Sequence, residues 1–159
     1  MNNSIIRLQK EYKQYLKEPN HYYSICPNPD NFYIWDILLF GPQETLFEGG
    51  IFKCQIIFPN DYPNKPPDFK FITNIPHPNI YTSGKVCISI LRTGVDQFGY
   101  EHISERWNPS HNVNSVLISI LNVLLEPNLE SPANIDIGKL WRDDFSSYKK
   151  MIYNIIANN

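Results

Sequence analysis

The chain has 159 residues and a formal net charge of −2 at pH 7; 42% of its residues are hydrophobic and 19% are charged. This size and composition are typical of one globular domain with one core, so we expect residues 1–159 to form a single domain. The balanced charge, without a basic cluster, argues against a nucleic-acid-binding surface. No apolar run reaches the ~18 residues of a membrane span, and the amino terminus lacks the apolar core of a signal peptide.

The cysteines Cys26, Cys54 and Cys87 are far apart and show no Cys-x-x-Cys spacing. An odd number with this spacing predicts neither a disulfide framework nor a metal site, and it favours a reducing compartment such as the cytoplasm. Cys54 shares the apolar face of a predicted strand with Phe52 and Ile56, so we interpret it as a small core residue. Cys26 lies at a strand end and receives no chemical role.

An amino-terminal helix is predicted by apolar residues that recur at helical spacing from Ile5 to Leu16. Asn3 or Ser4 can cap this helix, and Pro19 ends it. Basic residues lie between the apolar ones. Taken alone, this charge pattern is typical of a solvated face, and a docking surface is the alternative interpretation.

Four short runs rich in β-branched and aromatic residues follow the helix, and turn residues separate them: residues 22–26, 32–40, 51–58 and 68–72. They predict an antiparallel meander with one packed face and one solvent face. The proline-rich residues 59–67 lie between the last two runs. We favour a structural corner for them, with a turn that accommodates a cis bond, over a ligand for a proline-reading module.

A buried central helix is predicted for Val113–Leu125, because apolar residues cover nearly all its sides and Asn112 can cap its first turn. Residues 126–134 form a loop that we expect to return near Cys87. A final helical region follows, and the pair Asp143-Asp144 marks a break or a new first turn within it.

The candidate site segment is residues 75–91. Prolines on both sides of His77 fix φ and remove backbone donors, so this backbone is neither helix nor central strand. The segment therefore holds His77 and Asn79 on a rigid path, and a Ser-Gly turn brings the chain back toward Cys87. A thiol facing a fixed amide resembles a nucleophile with an oxyanion donor, and one such donor contributes roughly 3–4 kcal/mol to catalysis.

Cys87 has no histidine at an obvious base position, although His77, His102 and His111 can approach it in three dimensions. An unassisted thiol suits exchange with a thioester, whose leaving group is also a thiolate, better than attack on an unactivated amide. The chemistry therefore favours acyl transfer over proteolysis. The alternative is that the cysteine is an inert core residue, the histidine a turn residue and Asn79 an Asx-turn former.

Several short motifs occur in an order that resembles the ubiquitin-conjugating (E2) enzymes over almost the whole chain. They are His77-Pro78-Asn79 followed eight residues later by Cys87, the corner Phe58-Pro59-x-x-Tyr62-Pro63-x-x-Pro66-Pro67, the turn at residues 41–50, the residues Trp107 and Pro109, and Glu126-Pro127-Asn128. Each motif alone is weak, whereas the ordered set is specific. The resemblance implies an α+β fold with a four-stranded antiparallel meander sheet, an N-terminal helix, a central buried helix and C-terminal helices.

This resemblance implies that Cys87 accepts ubiquitin as a thioester from an E1 activating enzyme and passes it to a lysine of a substrate or of ubiquitin. The E1 uses the ATP, so no cofactor or metal is expected on this chain, and an E3 ligase of the RING type is expected to guide the transfer. Asn79 would stabilise the oxyanion or hold the active-site loop, while His77 and Tyr81 would support the site. The alternatives are an enzyme for another ubiquitin-like modifier and a non-catalytic scaffold that binds ubiquitin or an E3.

The resemblance also assigns E1 and E3 binding to the first helix, the loop at residues 62–65 and the segment at residues 108–110. The residues expected to take part are Arg7, Lys10, Tyr62, Asn64, Asn108 and Pro109. Asn64 stands where many relatives present an apolar residue to the E3, so the choice of E3 is expected to differ.

The long loop at residues 92–106 narrows the resemblance to the subclass with an inserted acidic loop, whose members include enzymes of ER-associated degradation. This implies a role in proteasomal degradation in the cytoplasm, with recruitment to the cytosolic face of the ER and the nucleus as a further location. Ser131 stands where many relatives carry an aspartate that helps to deprotonate lysine, and a hydroxyl lacks that charge unless it is phosphorylated. Asp96, Glu101 and Glu105 are the candidate substitutes, although basic residues at both ends of the loop oppose this role.

Overall fold

The computed structural model describes residues 3–99 and 101–159. In chain order these residues form a helix, four strands, two 3₁₀ turns and three further helices: α1 Asn3–Lys17, β1 Tyr23–Pro27, β2 Ile34–Phe40, β3 Ile51–Ile57, β4 Asp68–Phe71, the 3₁₀ turns Ser89–Leu91 and Ile103–Glu105, α2 Val113–Leu125, α3 Ile135–Asp143 and α4 Phe145–Ala157. None of the helices in these ranges is long and apolar enough to cross a membrane.

The four strands form one sheet in the order β1-β2-β3-β4, and each strand is antiparallel to its neighbours. This confirms the predicted meander. In β3, Phe52, Cys54 and Ile56 are at most 2% exposed, whereas Ile51 and Ile57 are 50% and 41% exposed. Successive side chains of a strand point to opposite faces, so Cys54 lies in the core as predicted, where burial raises the pKa of its thiol.

α2 is the central helix of the core, as its apolar pattern predicts. Six of its side chains are buried, and they belong to the same continuous cluster as the packed face of the sheet. Asn112 accepts from the backbone N–H of Ser115 at 2.8 Å, and the Ser115 hydroxyl accepts from the N–H of Asn112 at 3.4 Å. This capping box satisfies donors that a helix start leaves without partners. The 3₁₀ turn Ser89–Leu91 lies against this well-anchored helix.

The start of α1 differs from the prediction. Asn3 and Ser4 both lie inside the helix, so neither is its cap. Ser4 is 2% exposed, and its hydroxyl oxygen lies 2.7 Å from that of Tyr33. A tertiary contact therefore uses the oxygen that was expected to cap the helix. The helix ends at Lys17, two residues before Pro19, as predicted.

The carboxy-terminal region consists of two helices that meet at the predicted acidic pair. Asp143 is the last residue of α3, and Asp144 is the N-cap of α4, where its carboxylate accepts from the Ser147 N–H at 3.1 Å. Hydrogen bonds from Ser147 hold the pKa of the Asp144 carboxyl below its usual range. The predicted break is therefore confirmed, and a new N-cap follows it directly.

Residues 59–67 form a corner between β3 and β4, as predicted, and the peptide bond between Tyr62 and Pro63 is cis. Tyr62 is 2% exposed, and its ring centroid lies 4.9 Å from that of Phe58 and 5.7 Å from that of Trp107. Trp107 donates its indole N–H to the Pro63 carbonyl at 2.8 Å. The corner thus joins the sheet to the segment that precedes α2.

Candidate active site

Residues 75–91 contain no α-helix or long strand, as predicted, and their turn depends on Gly84. Gly84 has φ +90°, and a Cβ at this position would lie 2.2 Å from the Phe71 carbonyl oxygen. Both the left-handed backbone and the close approach of β4 therefore require glycine. Beyond the turn, the N–H of Cys87 donates to the Asn79 carbonyl at 3.0 Å, which places the two residues side by side.

The side chain of Asn79 holds the loop that follows α2. Its Nδ2 donates to the Asn128 carbonyl at 2.9 Å, and its Oδ1 accepts from the Asn128 N–H at 2.9 Å. Asn79 is 2% exposed, so both bonds form away from bulk water. The loop at residues 126–134 therefore returns to the site segment, as the sequence predicts. Of the two suggested actions of Asn79, the geometry matches the holding of this loop.

His77 is fully buried, and both ring nitrogens have partners. Nδ1 accepts from the Asn79 N–H at 3.0 Å, so Nε2 carries the proton and donates to the Val123 carbonyl at 3.0 Å. Burial lowers the pKa of His77 to about 4, so the ring is neutral at physiological pH. His77 ties the site segment to α2 and has no free nitrogen with which to act as a base on Cys87.

Neither of the other two candidate histidines bonds to Cys87, although His111 lines the same crevice. His102 caps the 3₁₀ turn Ile103–Glu105, with its Nδ1 2.7 Å from the Ser104 hydroxyl oxygen. His111 packs its ring beside that of Trp107, with 5.8 Å between the centroids, and its buried Nε2 has no hydrogen-bond partner among the residues that the structure describes. In the part of the chain that the structure describes, no histidine hydrogen-bonds to Cys87, which agrees with a thiol that lacks a dedicated base.

The sulphur of Cys87 instead faces polar groups that the sequence analysis did not place there. The Nη2 of Arg92 donates to the Cys87 Sγ at 2.5 Å. This hydrogen bond is the largest of the interactions that raise the pKa of Arg92. The hydroxyl of Tyr81 also lies near Cys87, and its interaction with Cys87 raises the pKa of Tyr81. Cys87 itself is half-buried and stays a free thiol.

An open crevice of about 580 Å³ begins at this sulphur. It brings together residues that are far apart in sequence, among them Asn79, Cys87, Glu101 and Ser131. One wall is α2, and the opposite side is formed by the inserted loop. Ser131 contributes a hydroxyl to this crevice and no charge.

Two of the three candidate acids of the inserted loop, Asp96 and Glu101, are paired with its arginines, whereas Glu105 is exposed and lines the crevice. Arg106 is 11% exposed; its Nε donates to Glu101 Oε2 at 2.8 Å, and its Nη2 lies 3.7 Å from Asp96 Oδ1. Glu101 also accepts from the Ser89 hydroxyl at 2.6 Å and lies 3.7 Å from Arg92 Nη1. These pairs compensate the negative charge of Asp96 and Glu101, as the flanking basic residues led us to expect.

The residues expected to bind E1 and E3 divide into exposed and buried ones. Lys10, Asn64 and Pro109 are exposed, Arg7 and Asn108 are half-buried, and Tyr62 is buried. The Arg7 guanidinium donates to the carbonyls of Pro109 and His111, at 3.1 and 2.8 Å. Arg7 and Tyr62 therefore brace this surface from within.

Glu11, which the sequence analysis missed, links Arg7, Tyr62 and the start of α2. Its Oε1 accepts from Arg7 Nε at 2.7 Å and from the Tyr62 hydroxyl at 2.6 Å, while its Oε2 accepts from the Val113 N–H at 2.8 Å. Burial is the largest cause of a raised Tyr62 pKa, followed by the charge of Glu11. The only local signal for this role was the spacing of four residues between Arg7 and Glu11.

Comparison with known proteins bears out the resemblance. The profile of the family described as ubiquitin-conjugating enzyme matches residues 7–156. The chain is 45% identical over 155 residues to human ubiquitin-conjugating enzyme E2 G2, which covers 96% of this chain and 94% of the human protein. It is 45% identical over 154 residues to the probable ubiquitin-conjugating enzyme E2 7 of Caenorhabditis elegans, covering 96% and 94% of the two chains.

A fungal relative gives the same picture. Ubiquitin-conjugating enzyme E2 15 of Schizosaccharomyces pombe is 42% identical over 154 residues, which cover 96% of this chain and 92% of the relative. The four-stranded antiparallel sheet with its helices is the α+β architecture that the resemblance implied. The chain therefore belongs to the ubiquitin-conjugating enzyme family, whose members are transferases that act through a thioester intermediate and work with ubiquitin, an E1 and E3 ligases.

Proposed function

We propose that Cys87 is the residue that accepts ubiquitin from an E1 and passes it to a lysine amine with the help of an E3. The observation that carries this proposal is the position of Cys87 at the start of the crevice, beside Asn79 and without a histidine partner among the described residues. A half-buried thiol in such a place is reachable by the ubiquitin tail. It also lacks the base that a hydrolase would use to activate water or an amide.

The proposed reaction has two steps. In the first, the Cys87 thiolate attacks the carbonyl carbon of the E1 thioester, a new C–S bond forms, and the E1 thiolate leaves with the electron pair. In the second, a neutral lysine amine attacks the Cys87 thioester, the C–N bond forms, and the Cys87 thiolate leaves while the amine proton passes to solvent. Both leaving groups are thiolates, so neither step needs a strong acid in the site.

Asn79 is proposed to act by holding the loop at residues 126–134 at the edge of the crevice. Its two hydrogen bonds to Asn128 support this assignment. Ser131 lies in the same loop and lines the crevice, so the path of the loop sets the space that is open to the incoming lysine. We call residues 126–134 the gateway loop. This loop selects the incoming amine by shape, because Ser131 supplies no carboxylate.

We further propose a role in proteasomal degradation linked to the ER, with a RING-type E3 that docks on the surface formed by Lys10, Asn64 and Pro109. The inserted loop at residues 92–106 and the similarity to E2 G2 over nearly the full length support this part. The three side chains are exposed, as a docking surface requires. A location in the cytoplasm and on the cytosolic face of the ER follows from this proposal.

The test is a charging assay with E1, ATP and ubiquitin. Wild-type protein is expected to form an adduct that a thiol reagent cleaves. Cys87→Ser should give an adduct that resists thiols, because an oxygen ester replaces the thioester, and Cys87→Ala should give none. Cys26→Ala is the matched control, since Cys26 is the exposed cysteine and should charge normally. Failure of the wild-type protein to charge with ubiquitin would contradict the proposal, and charging only with another modifier would favour the alternative enzyme.

A further inference from the structure

We propose that Arg92 is a catalytic residue whose guanidinium stabilises negative charge on the Cys87 sulphur, both when the thiolate attacks and when it leaves. This inference rests on the proposed function in that Cys87 is the reacting group. It adds a charged partner for the sulphur that neither histidine nor the gateway loop supplies.

The contact itself is direct. Arg92 Nη2 lies 2.5 Å from Cys87 Sγ and has the geometry of a donor to it. The two residues are five positions apart, and the 3₁₀ turn Ser89–Leu91 between them folds the chain back. The N–H of Arg92 donates to the Ser89 carbonyl at 2.9 Å, and its carbonyl accepts from the Trp107 N–H at 2.9 Å. The backbone of Arg92 is therefore held at both of its polar groups.

The guanidinium is also oriented from its far side. Arg92 Nη1 lies 3.7 Å from Glu101 Oε1, and that same oxygen accepts from the Ser89 hydroxyl at 2.6 Å. Glu101 Oε2 is held by Arg106 Nε at 2.8 Å. The side chain of Glu101 is 17% exposed, against 41% for Arg92. A half-buried carboxylate held by Ser89 and Arg106 thus orients the more exposed guanidinium toward the sulphur.

The remaining charges around the sulphur leave Arg92 as its nearest cation. Lys85 lies close in sequence, but its Nζ pairs with Asp68 Oδ1 at 3.4 Å. The Tyr81 hydroxyl near Cys87 brings no positive charge. Glu101 faces the opposite nitrogen of the guanidinium, so its negative charge lies beyond Arg92 as seen from the sulphur.

The chemistry of both proposed steps concentrates charge on this sulphur. Before the first step the electron pair that attacks the E1 thioester resides on Cys87 Sγ, and after the second step the pair of the broken C–S bond returns to it. An N–H donated by a cation is a stronger hydrogen bond than one from a neutral group. In the thioester the sulphur is uncharged, so its contact with Arg92 is weaker there. The contact therefore stabilises the thiolate before the first step and after the second step more than it stabilises the thioester.

The experiment measures alkylation of Cys87 by iodoacetamide in the uncharged protein near neutral pH, followed by intact mass. A Cys26→Ala background removes the other exposed thiol, and Cys54 is buried. We expect Arg92→Gln to slow alkylation about fivefold, the effect of one partly exposed ionic contact. Arg92→Lys, which keeps the charge, should restore most of the rate. Arg142→Gln is the control, because Arg142 is an exposed arginine on α3 that pairs with Asp143.

Alkylation of Arg92→Gln at the wild-type rate would overturn the inference, and so would a rate for Arg92→Lys as low as that of Arg92→Gln. The assay contains neither E1 nor ubiquitin, so its result stands even if the protein fails to charge. In the charging assay, Arg92→Gln should slow both thioester formation and discharge to free lysine. If only the discharge rate fell, Arg92 would act on the incoming lysine and not on the sulphur, which would contradict the proposed role.

Discussion

The side-chain amide of Asn79 and the backbone of Asn128 are joined by two hydrogen bonds of 2.9 Å, one donated in each direction. This pair links the site segment to the loop after α2 at a place where Asn79 is 2% exposed. A side chain that satisfies both its acceptor and one of its donors in this way is positioned to control the loop. The remaining N–H of Nδ2 is the one that an oxyanion would have to use.

Asn79→Ala tests this arrangement. We expect thioester formation to be largely kept, because the sulphur and its contact with Arg92 remain. Discharge of the thioester to free lysine should slow at least about tenfold, since the gateway loop loses its anchor. The measurement compares single-turnover charging with single-turnover discharge. Equal loss in the two steps would point to a purely structural role for the side chain.

Asn79→Asp is the matched variant of the same size. Its carboxylate can still accept from the Asn128 N–H but faces the Asn128 carbonyl without a donor. It should therefore slow discharge as the alanine variant does, although the volume of the side chain is unchanged. Normal discharge in this variant would show that the donated hydrogen bond is dispensable.

His77 makes the stability of the protein depend on pH. Burial lowers its pKa to about 4 from an ordinary value of 6.5. Above pH 6.5 the ring is neutral in both states and contributes no pH dependence. Between these values the unfolded chain binds a proton that the folded ring refuses, so stability falls as the pH drops, by at most about 3 kcal/mol in total. Chemical denaturation at several pH values measures this slope.

His77→Gln should lose most of the slope between pH 6.5 and 4, since glutamine does not titrate. It should also be less stable at neutral pH, because the hydrogen bonds of the ring to Val123 and Asn79 are buried. His21→Gln is the control, since His21 is exposed. If both variants retained the wild-type slope, other groups would be responsible for it.

Glu11 is expected to organise the surface at which we expect E1 to dock. Glu11→Gln removes the charge that Arg7 pairs with and should lower the free energy of unfolding by about 1–3 kcal/mol. It should also weaken E1-dependent charging, seen as a higher KM, while iodoacetamide alkylation of Cys87 stays unchanged. Glu18→Gln, one residue beyond the end of α1, is the control, since Glu18 is exposed and its carboxylate accepts from the Gln14 side chain at 3.0 Å.

An unchanged KM for Glu11→Gln with a clear loss of stability would separate the two effects. Glu11 would then brace the fold without organising the docking surface. A change in the alkylation rate would show that the substitution had disturbed the reactive site as well, and would contradict a role confined to this surface.

Arg106 is expected to hold the inserted loop closed. Its guanidinium pairs with Glu101 and Asp96 and donates to the Thr93 carbonyl at 3.1 Å. Arg106→Gln should therefore increase amide hydrogen exchange across residues 93–105 with a smaller effect on the denaturation midpoint. Arg142→Gln again serves as the control. Unchanged exchange in this segment would show that the loop keeps its shape without these ion pairs.

Sequence patterns over a few residues predict those helices whose starts and ends are set by neighbouring residues. The helix Val113–Leu125 was predicted to the residue, because an Asn cap precedes an apolar run and a proline closes it. The proposed cap of α1 was wrong, because the Ser4 hydroxyl is used by Tyr33, 29 residues away. No periodicity in the first helix carries information about that partner.

The candidate site likewise has a part that the sequence predicts and a part that it does not. The motif His77-Pro78-Asn79 and its distance to Cys87 marked the reacting segment, since prolines and a Ser-Gly turn restrict a backbone whatever surrounds it. The sequence did not predict the neighbours of the Cys87 sulphur. It offers three histidines as candidates, whereas the structure places Arg92 and Tyr81 beside the sulphur. Glu11 was missed because it meets Tyr62 across 51 positions and Val113 across 102.

The sequence by itself thus determined the order of the elements, the family and the cysteine that we propose to react, because apolar periodicity, caps, prolines and ordered motifs act over a few residues. Only the tertiary structure decided what each polar side chain touches. It paired Asp96 and Glu101 of the inserted loop with Arg92 and Arg106, and it joined the amide of Asn79 to the backbone of Asn128. Hydrogen bonds and ion pairs depend on distances of a few ångströms between residues that only the packed core brings together.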